Sequence, residues 1–448
     1  MSTALSDSME IAGPQPDITH RHIFRFYLPL ALSWIFMAIE SPIALSVISR
    51  MSSAEINQAA FQPLMALALL IESPVIDLLT TATTLGKDRQ HYEQLSRFAF
   101  RIMIFVTIVH ALVTATPLYW TVTLDLIKLP VPVAEAARAG LLIMIPWSAF
   151  IGWRRYLQGL MIRHGHTRLI GYGTAIRMAT MAITAYSLFA LTSLPSITLV
   201  SIALLASVAA EASFAHIASR AVIQNHLAVD DATLNPLTQR FLASFHLPLT
   251  ATTVVTILSQ PLVSAALARS PQTTLALASF QVASSIIWLH RTIVFALPEV
   301  IITLYKQGEV AAKLRRFCLI IGLGTTGIMA LTAATNLDSW IFRELLGVES
   351  EETIRMAHLC LALSCLLPFF GALQSYLRGV LAAHHLTVSR LAAIFVALAC
   401  MVVSLAVGVG LQWPGVVTAS IALTLAQIAE FVVLARAWRV GQARLATA

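Results

Sequence analysis

Charge is scarce in this 448-residue chain: Asp, Glu, Lys and Arg make up 11% of it, against about 25% in an ordinary soluble protein. Hydrophobic residues reach 58%, against about 45–50%, so there is too little polar surface to cover one or two globular cores. A soluble domain is excluded, and lipid must be the solvent for most of the surface. Cysteine is also rare. Cys318, Cys360, Cys365 and Cys400 all lie in apolar stretches with no CxxC and no nearby histidine set, which excludes a disulfide framework or a zinc site. Walker A, Asp-rich diphosphate and Ser-His-Asp patterns are missing, so neither ATP drive nor enzymatic catalysis has a basis, and no cofactor is expected. One nucleotide-like pattern, Gly322, Gly324 and Gly327, falls inside an apolar run and not after a strand, where it reads as close helix packing. The first twenty residues, with Asp7, Glu10, Pro14, Pro16 and Asp17 and no apolar core, read as a polar tail and not a signal peptide.

What is present is a series of long apolar runs, near 23–49, 57–85, 96–120, 133–161, 166–191, 196–218, 237–268, 274–304, 315–336, 353–383, 386–412 and 414–438. Each is long enough to cross a bilayer as a helix, so twelve spans are predicted. The net charge of +7 does not point to nucleic acid, because the basic residues recur in short clusters between the runs. With a cytoplasmic N-terminus, 21 of the 29 Lys and Arg fall in inner segments, among them Arg154, Arg155, Lys306 and Arg378. Six (Arg50, Lys128, Arg138, Arg269, Arg343 and Arg355) are outer, and Arg177 and Arg291 lie within spans. The positive-inside bias places both termini in the cytoplasm. The expected setting is a bacterial inner (plasma) membrane, with lipid and a small-molecule substrate as partners and a monomer as the working unit.

Residues 27–85 and 246–304 align without a gap at a shift of 219: Leu28-Pro29-Leu30 meets Leu247-Pro248-Leu249, Pro42 meets Pro261, Arg50 meets Arg269, and Phe61-Gln62 meets Phe280-Gln281. With one inserted residue, Tyr156-Leu157-Gln158-Gly159 meets Tyr376-Leu377-Arg378-Gly379 and Thr167 meets Thr387. The chain is a duplicated six-helix unit. An even helix count returns the second unit to the same side, so the halves are parallel repeats about an axis normal to the membrane, and their interface is the natural substrate path. The expected divisions are a tail at 1–22, an N-lobe at 23–218, a linker at 219–239 around Asp230-Asp231 and Asn235-Pro236, a C-lobe at 240–438 and a tail at 439–448.

An ionisable group inside the bilayer calls for a partner, water or a function. At about 1.5 Å per residue, Glu40, Glu72 and Arg291 lie near the midplane. Glu72 and Arg291 differ by 219, which sets an acid and a base at equivalent places in the two lobes. They are expected to face a central cleft, Arg291 holding an anionic group and Glu72 pairing with it when that group is absent, or else to form a fixed ion pair. His290 adjoins Arg291 and is grouped with the substrate site. Glu40, followed by Ser41-Pro42, is read as an H⁺ or Na⁺ coupling site at a kinked segment, with Asp77 as a second candidate. Glu299, Arg177, Glu211 and Glu430 are read as gating or structural charges. Arg177 is expected to pair with Glu211, while Glu430 has no evident partner. The remaining span histidines, His110, His216, His246 and His358, are read as packing.

Two parallel six-helix repeats, with YLQG or YLRG elements followed by Thr167 or Thr387, resemble the multidrug and toxic compound extrusion (MATE) transporters of the multidrug/oligosaccharidyl-lipid/polysaccharide (MOP) flippase superfamily. Arg25-Phe26 with Pro29-Leu30, Pro74 with Asp77, Ser259 with Pro261-Leu262-Val263, and Glu430 further resemble the progressive ankylosis (Ank) proteins. Where that family has a basic residue between the helix-7 serine and proline, this chain has Gln260. The resemblance implies an all-α, MATE-like fold around a central cleft and a secondary transporter working by alternating access. The Ank likeness implies efflux of a small anion. The MATE likeness implies a cation-coupled multidrug antiporter whose first-helix acid would be Glu40, and the wider superfamily admits a lipid-linked saccharide flippase.

Overall fold

The computed structural model describes residues 19–231, 234–305, 309–383 and 388–447. Most of the expected N-terminal tail, Lys306 and Thr387 therefore lie outside the described residues. Among the described residues there are helices and no strand.

Eleven helices are long and apolar enough to span a membrane, and a twelfth span forms from a pair bent by 50°. In chain order they are α1 (His20–Ile48), α2 (Ala54–Leu85), α3 (Arg89–Ala115), α4 (Val131–Ile143 with Trp147–Arg163), α5 (Arg168–Leu191), α6 (Ser196–His226), α7 (Gln239–Leu267), α8 (Thr273–Leu304), α9 (Glu309–Ala334), α10 (Glu351–Leu381), α11 (Ser389–Gly410) and α12 (Gly415–Gln442). The expected linker at 219–239 is shorter than the sequence suggests. Arg220 and its neighbours continue α6 to His226, because a helix leaving the bilayer keeps its own hydrogen bonds and has no reason to stop at the first charge. The last helix likewise runs on to Thr447, so residues 439–447 of the expected tail are helical.

The apolar side chains sort by solvent. Phe105 on α3, Ile320 and Leu331 on α9 and Val403 on α11 are more than half exposed, which is tolerable only where the surrounding medium is hydrocarbon. The interior is closed by small residues. A Cβ on Gly159 would stand 2.5 Å from the Leu79 carbonyl oxygen and 2.7 Å from Ala82, and one on its repeat partner Gly379 would stand 2.7 Å from Ile301. These two glycines let α4 lie against α2, and α10 against α8.

Breaks in the spans follow the repeat. The α-helix of α1 is interrupted at Ile39 and that of α7 at Leu258, each three residues before a proline, Pro42 or Pro261. Both prolines remove a donor from the helical ladder. In the same way α2 breaks at Asp77 and α8 at Ala296. The lobes meet chiefly through α1 and α2 on one side and α7 and α8 on the other, so these four broken helices stand at the interface.

Candidate functional site

Between the lobes lies a cavity of about 340 Å³. The N-lobe contributes Glu40, Glu72, Trp147, Arg154, Arg155 and Arg177 to its wall, and the C-lobe contributes Gln260, Gln281, Ser284, Ser285, Trp288 and Arg291. Trp34, Met37, Phe61 and Phe280 are among the apolar residues of the lining.

Glu40 starts the second half of the broken α1 and is gripped by Arg177 of α5: Nε donates to Oε1 at 3.0 Å and Nη2 to Oε2 at 2.6 Å. Ser207 of α6 donates to Oε1 at 3.2 Å. A two-pronged guanidinium–carboxylate contact is among the strongest that side chains make, so the acid read as an H⁺ or Na⁺ coupling site is paired with Arg177 in this structure. The expected Arg177–Glu211 pair is present only as a longer contact of 3.6 Å. Glu211 is held instead by Arg154, whose Nη1 donates at 2.5 Å, and by Gln158 at 3.2 Å. Arg154, counted with the inner loops by charge, is thus a buried part of the N-lobe network.

Glu72 and Arg291 line the same cavity but do not pair. Glu72 accepts a hydrogen bond from the indole Nε1 of Trp147, and the face of that indole lies 5.8 Å from the guanidinium carbon of Arg177. Arg291 rests against two rings, Trp288 and Phe295, each at 5.8 Å. No carboxylate of the described residues lies within salt-bridge distance of Arg291 or of Arg155. The expected resting pair of Glu72 with Arg291 is therefore corrected: each finds an aromatic partner in its own lobe. Arg155, also counted as a loop charge, faces the cavity with its buried Nε unpartnered.

His290 does not line the cavity. Its Nδ1 turns back onto the Ile286 carbonyl of its own helix at 2.9 Å, because residues four apart share a helical face and adjacent ones, such as His290 and Arg291, do not. Asp77 sits at the break of α2, outside the cavity lining, with its Oδ2 buried and unpartnered. Glu299 is exposed in the half of α8 that follows the break at Ala296. Glu430 has a partner after all: Arg378 of α10 donates to it from Nε at 3.0 Å and also from Nη2. Arg378 is the repeat equivalent of Gln158, so the same step of α4 and α10 serves the same acid of α6 and α12.

His246, read from the sequence as packing, makes two polar contacts across the lobes. Its Nε2 lies 2.8 Å from the Pro74 carbonyl beside the α2 break, and its Nδ1 lies 2.8 Å from the Thr81 hydroxyl. A carbonyl only accepts, so Nε2 carries the proton. Shifted by 219, Tyr27 donates to the Ile293 carbonyl at 2.7 Å. Each lobe's first span thus caps the backbone of the other lobe's second span. The shift itself was the signal that could have exposed the pair.

The architecture is known from solved structures. An inward-facing multidrug resistance MATE family transporter of the MOP superfamily superposes with a TM-score of 0.72 at 11% identity, covering 95% of this chain and 99% of that one. This chain has the MATE-like twelve-helix fold. The outward-facing form of a MATE family transporter gives 0.62 at 14% identity, over 96% of this chain and 97% of that one. The lipid II flippase MurJ, in an inward closed conformation, gives 0.67 at 13% identity, over 92% and 87%. No protein-family model matches the sequence, and a search of curated proteins finds no relative.

Proposed function

We propose that this protein is a secondary transporter that exports a small organic anion by rocking its two lobes about the central cavity. The observation that carries the reading is Arg291, a guanidinium on the cavity wall with no carboxylate of the described residues within salt-bridge distance. Around the cavity stand four guanidiniums (Arg154, Arg155, Arg177 and Arg291) against three carboxylates, Glu40, Glu72 and Glu211. Pairing Arg177 with Glu40 and Arg154 with Glu211 leaves Arg155 and Arg291 against Glu72 alone, an excess of one positive charge that an anion would neutralise. Trp288 and Phe295 hold the Arg291 head by ring contact without neutralising it.

For a coupling ion, Glu72 is a better candidate than Glu40 or Asp77. It lines the cavity and has an indole donor where Glu40 has Arg177, so taking up a proton breaks no ion pair. Protonation would leave the cavity more positive, so proton and anion would bind together and leave together, with the outward anion gradient driving both.

The MATE and MurJ neighbours keep two other readings in view: cation-coupled drug export, and flipping of a lipid-linked saccharide. Uptake of labelled citrate, pyrophosphate and a cationic dye into proteoliposomes separates the first from anion transport. Anion uptake that is lost in Arg291→Ala supports the proposal. Dye uptake driven by a proton or sodium gradient and indifferent to that substitution would overturn it.

A further inference from the structure

Two arginines at the rim opposite the expected cytoplasmic side cross from one lobe to the other, and they occupy equivalent places in the repeat. Arg50, at the end of α1, donates to the Glu344 carbonyl at 2.8 Å and the Leu345 carbonyl at 3.2 and 3.3 Å. Arg269, at the end of α7, donates to the Leu126 carbonyl at 2.6 Å and the Ile127 carbonyl at 2.8 Å. The acceptors are the last carbonyls of two short π-helical segments, Thr121–Ile127 of the N-lobe and Ile341–Leu345 of the C-lobe. Each arginine also ties back to its own helix, Arg50 to the Ser46 carbonyl at 2.7 Å and Arg269 to the Ala265 carbonyl at 2.8 Å. One guanidinium therefore bridges two helix C-termini, where unsatisfied carbonyls favour a cation.

The details repeat along with the arginines. Lys128 and Gly347, also 219 apart, are both left-handed, with φ of 71° and 72°, which turns the chain at or just after the segment's end and leaves its last carbonyls facing outward. A Cβ on Gly347 would stand 2.8 Å from the Arg50 guanidinium carbon. Beneath the arginines lies a second layer. Ser264 of α7 donates to Gln62 of α2 at 2.5 Å, and Gln281 of α8 donates to Ser41 of α1 at 3.5 Å. Both glutamines follow a phenylalanine, Phe61 or Phe280, that lines the cavity.

We infer that Arg50 and Arg269 form the outer gate of the protein, a double latch that holds the cavity closed to the outside and must release both π-helical segments before the lobes can part there. The acceptors suit a latch. They are neutral carbonyls, and Arg50 makes its contacts across the lobes where water can reach them, so the bonds can be exchanged for water and remade. The buried Glu40–Arg177 contact could not be exchanged so readily, since it would strand two charges. The two latches lie on opposite sides of the pseudo-twofold axis, so releasing one leaves the other holding. This inference rests on relative motion of the lobes and is indifferent to what the cavity binds.

The test reads access and not transport, so it stands even if the substrate is misassigned. In a variant lacking the four native cysteines and carrying Ser284→Cys on the cavity wall, a membrane-impermeant thiol reagent is applied from outside to right-side-out vesicles. Combining Arg50→Gln with Arg269→Gln should raise the labelling rate at least tenfold, and each single change should raise it less. Arg343→Gln, which removes a rim charge paired within its own lobe to Glu351, should leave it unchanged. Gly347→Ala, which crowds Arg50 off its carbonyls with the charge kept, should also speed labelling. Parent-like rates in both the double variant and Gly347→Ala would overturn the gate, as would an equal rise in Arg343→Gln.

Discussion

Arg177→Met tests whether the N-lobe network is built as described. The substitution keeps the stem and removes the guanidinium that makes two hydrogen bonds to Glu40, in a pair whose side chains are only 7% and 12% exposed. Glu211 would be little affected, since Arg154 and Gln158 still hold it. Glu40 would keep only the Ser207 hydroxyl. Removing one partner of a buried pair costs about 3–5 kcal/mol, and the place of Glu40 on the cavity wall argues for the low end, about 3 kcal/mol. The measurement is the unfolding free energy in bicelles for the parent, Arg177→Met, Glu40→Gln and the double variant. Because the penalty is a stranded charge and not a lost attraction, the double variant should recover at least half of it. A cost below about 1 kcal/mol for Arg177→Met, or a double variant no more stable than the single, would refute the reasoning.

Two further outcomes follow from the repeat. Gly159→Val or Gly379→Val should destabilise by about 1–3 kcal/mol or more, since the new side chain meets α2 or α8 backbone and side chains that cannot withdraw; thermal unfolding in detergent checks both, with Gly324→Val, which faces open space, as the control. Arg378→Met should cost more than Gln158→Leu, about 2–3 against about 1 kcal/mol, because Glu430 would lose its guanidinium partner whereas Glu211 keeps Arg154. Equal costs would mean that the C-lobe acid is satisfied in some other way.

Much of the fold can be read from the sequence, because a bilayer demands about 20 apolar residues per span and a constant shift of 219 has few explanations besides duplication. The same shift pairs Arg50 with Arg269 in the sequence itself. Partner choice among the buried charges cannot be read in this way. Arg154 and Arg155 lie about nine residues inside α4 from Arg163, yet a double arginine reads as a loop, since nothing in one helix announces the acids that other helices bring to it. Arg177 takes Glu40 over Glu211 because α1 bends at Ile39 and carries Glu40 to it, a consequence of packing between helices far apart in the chain. His290 is kept from the cavity for a local reason, its bond to Ile286, and His246 finds its partner for a distant one, the broken α2 of the opposite lobe.

The most direct measurement is binding of pyrophosphate and citrate to the purified protein by titration calorimetry, in the parent and in Arg291→Ala, with a cationic dye alongside. Anion binding that weakens at least tenfold in Arg291→Ala, with folding unchanged because no acid is stranded by the substitution, is the expected result. Anions that fail to bind the parent, or bind both proteins alike while the dye binds tightly, would contradict the assignment of the cavity to an anion.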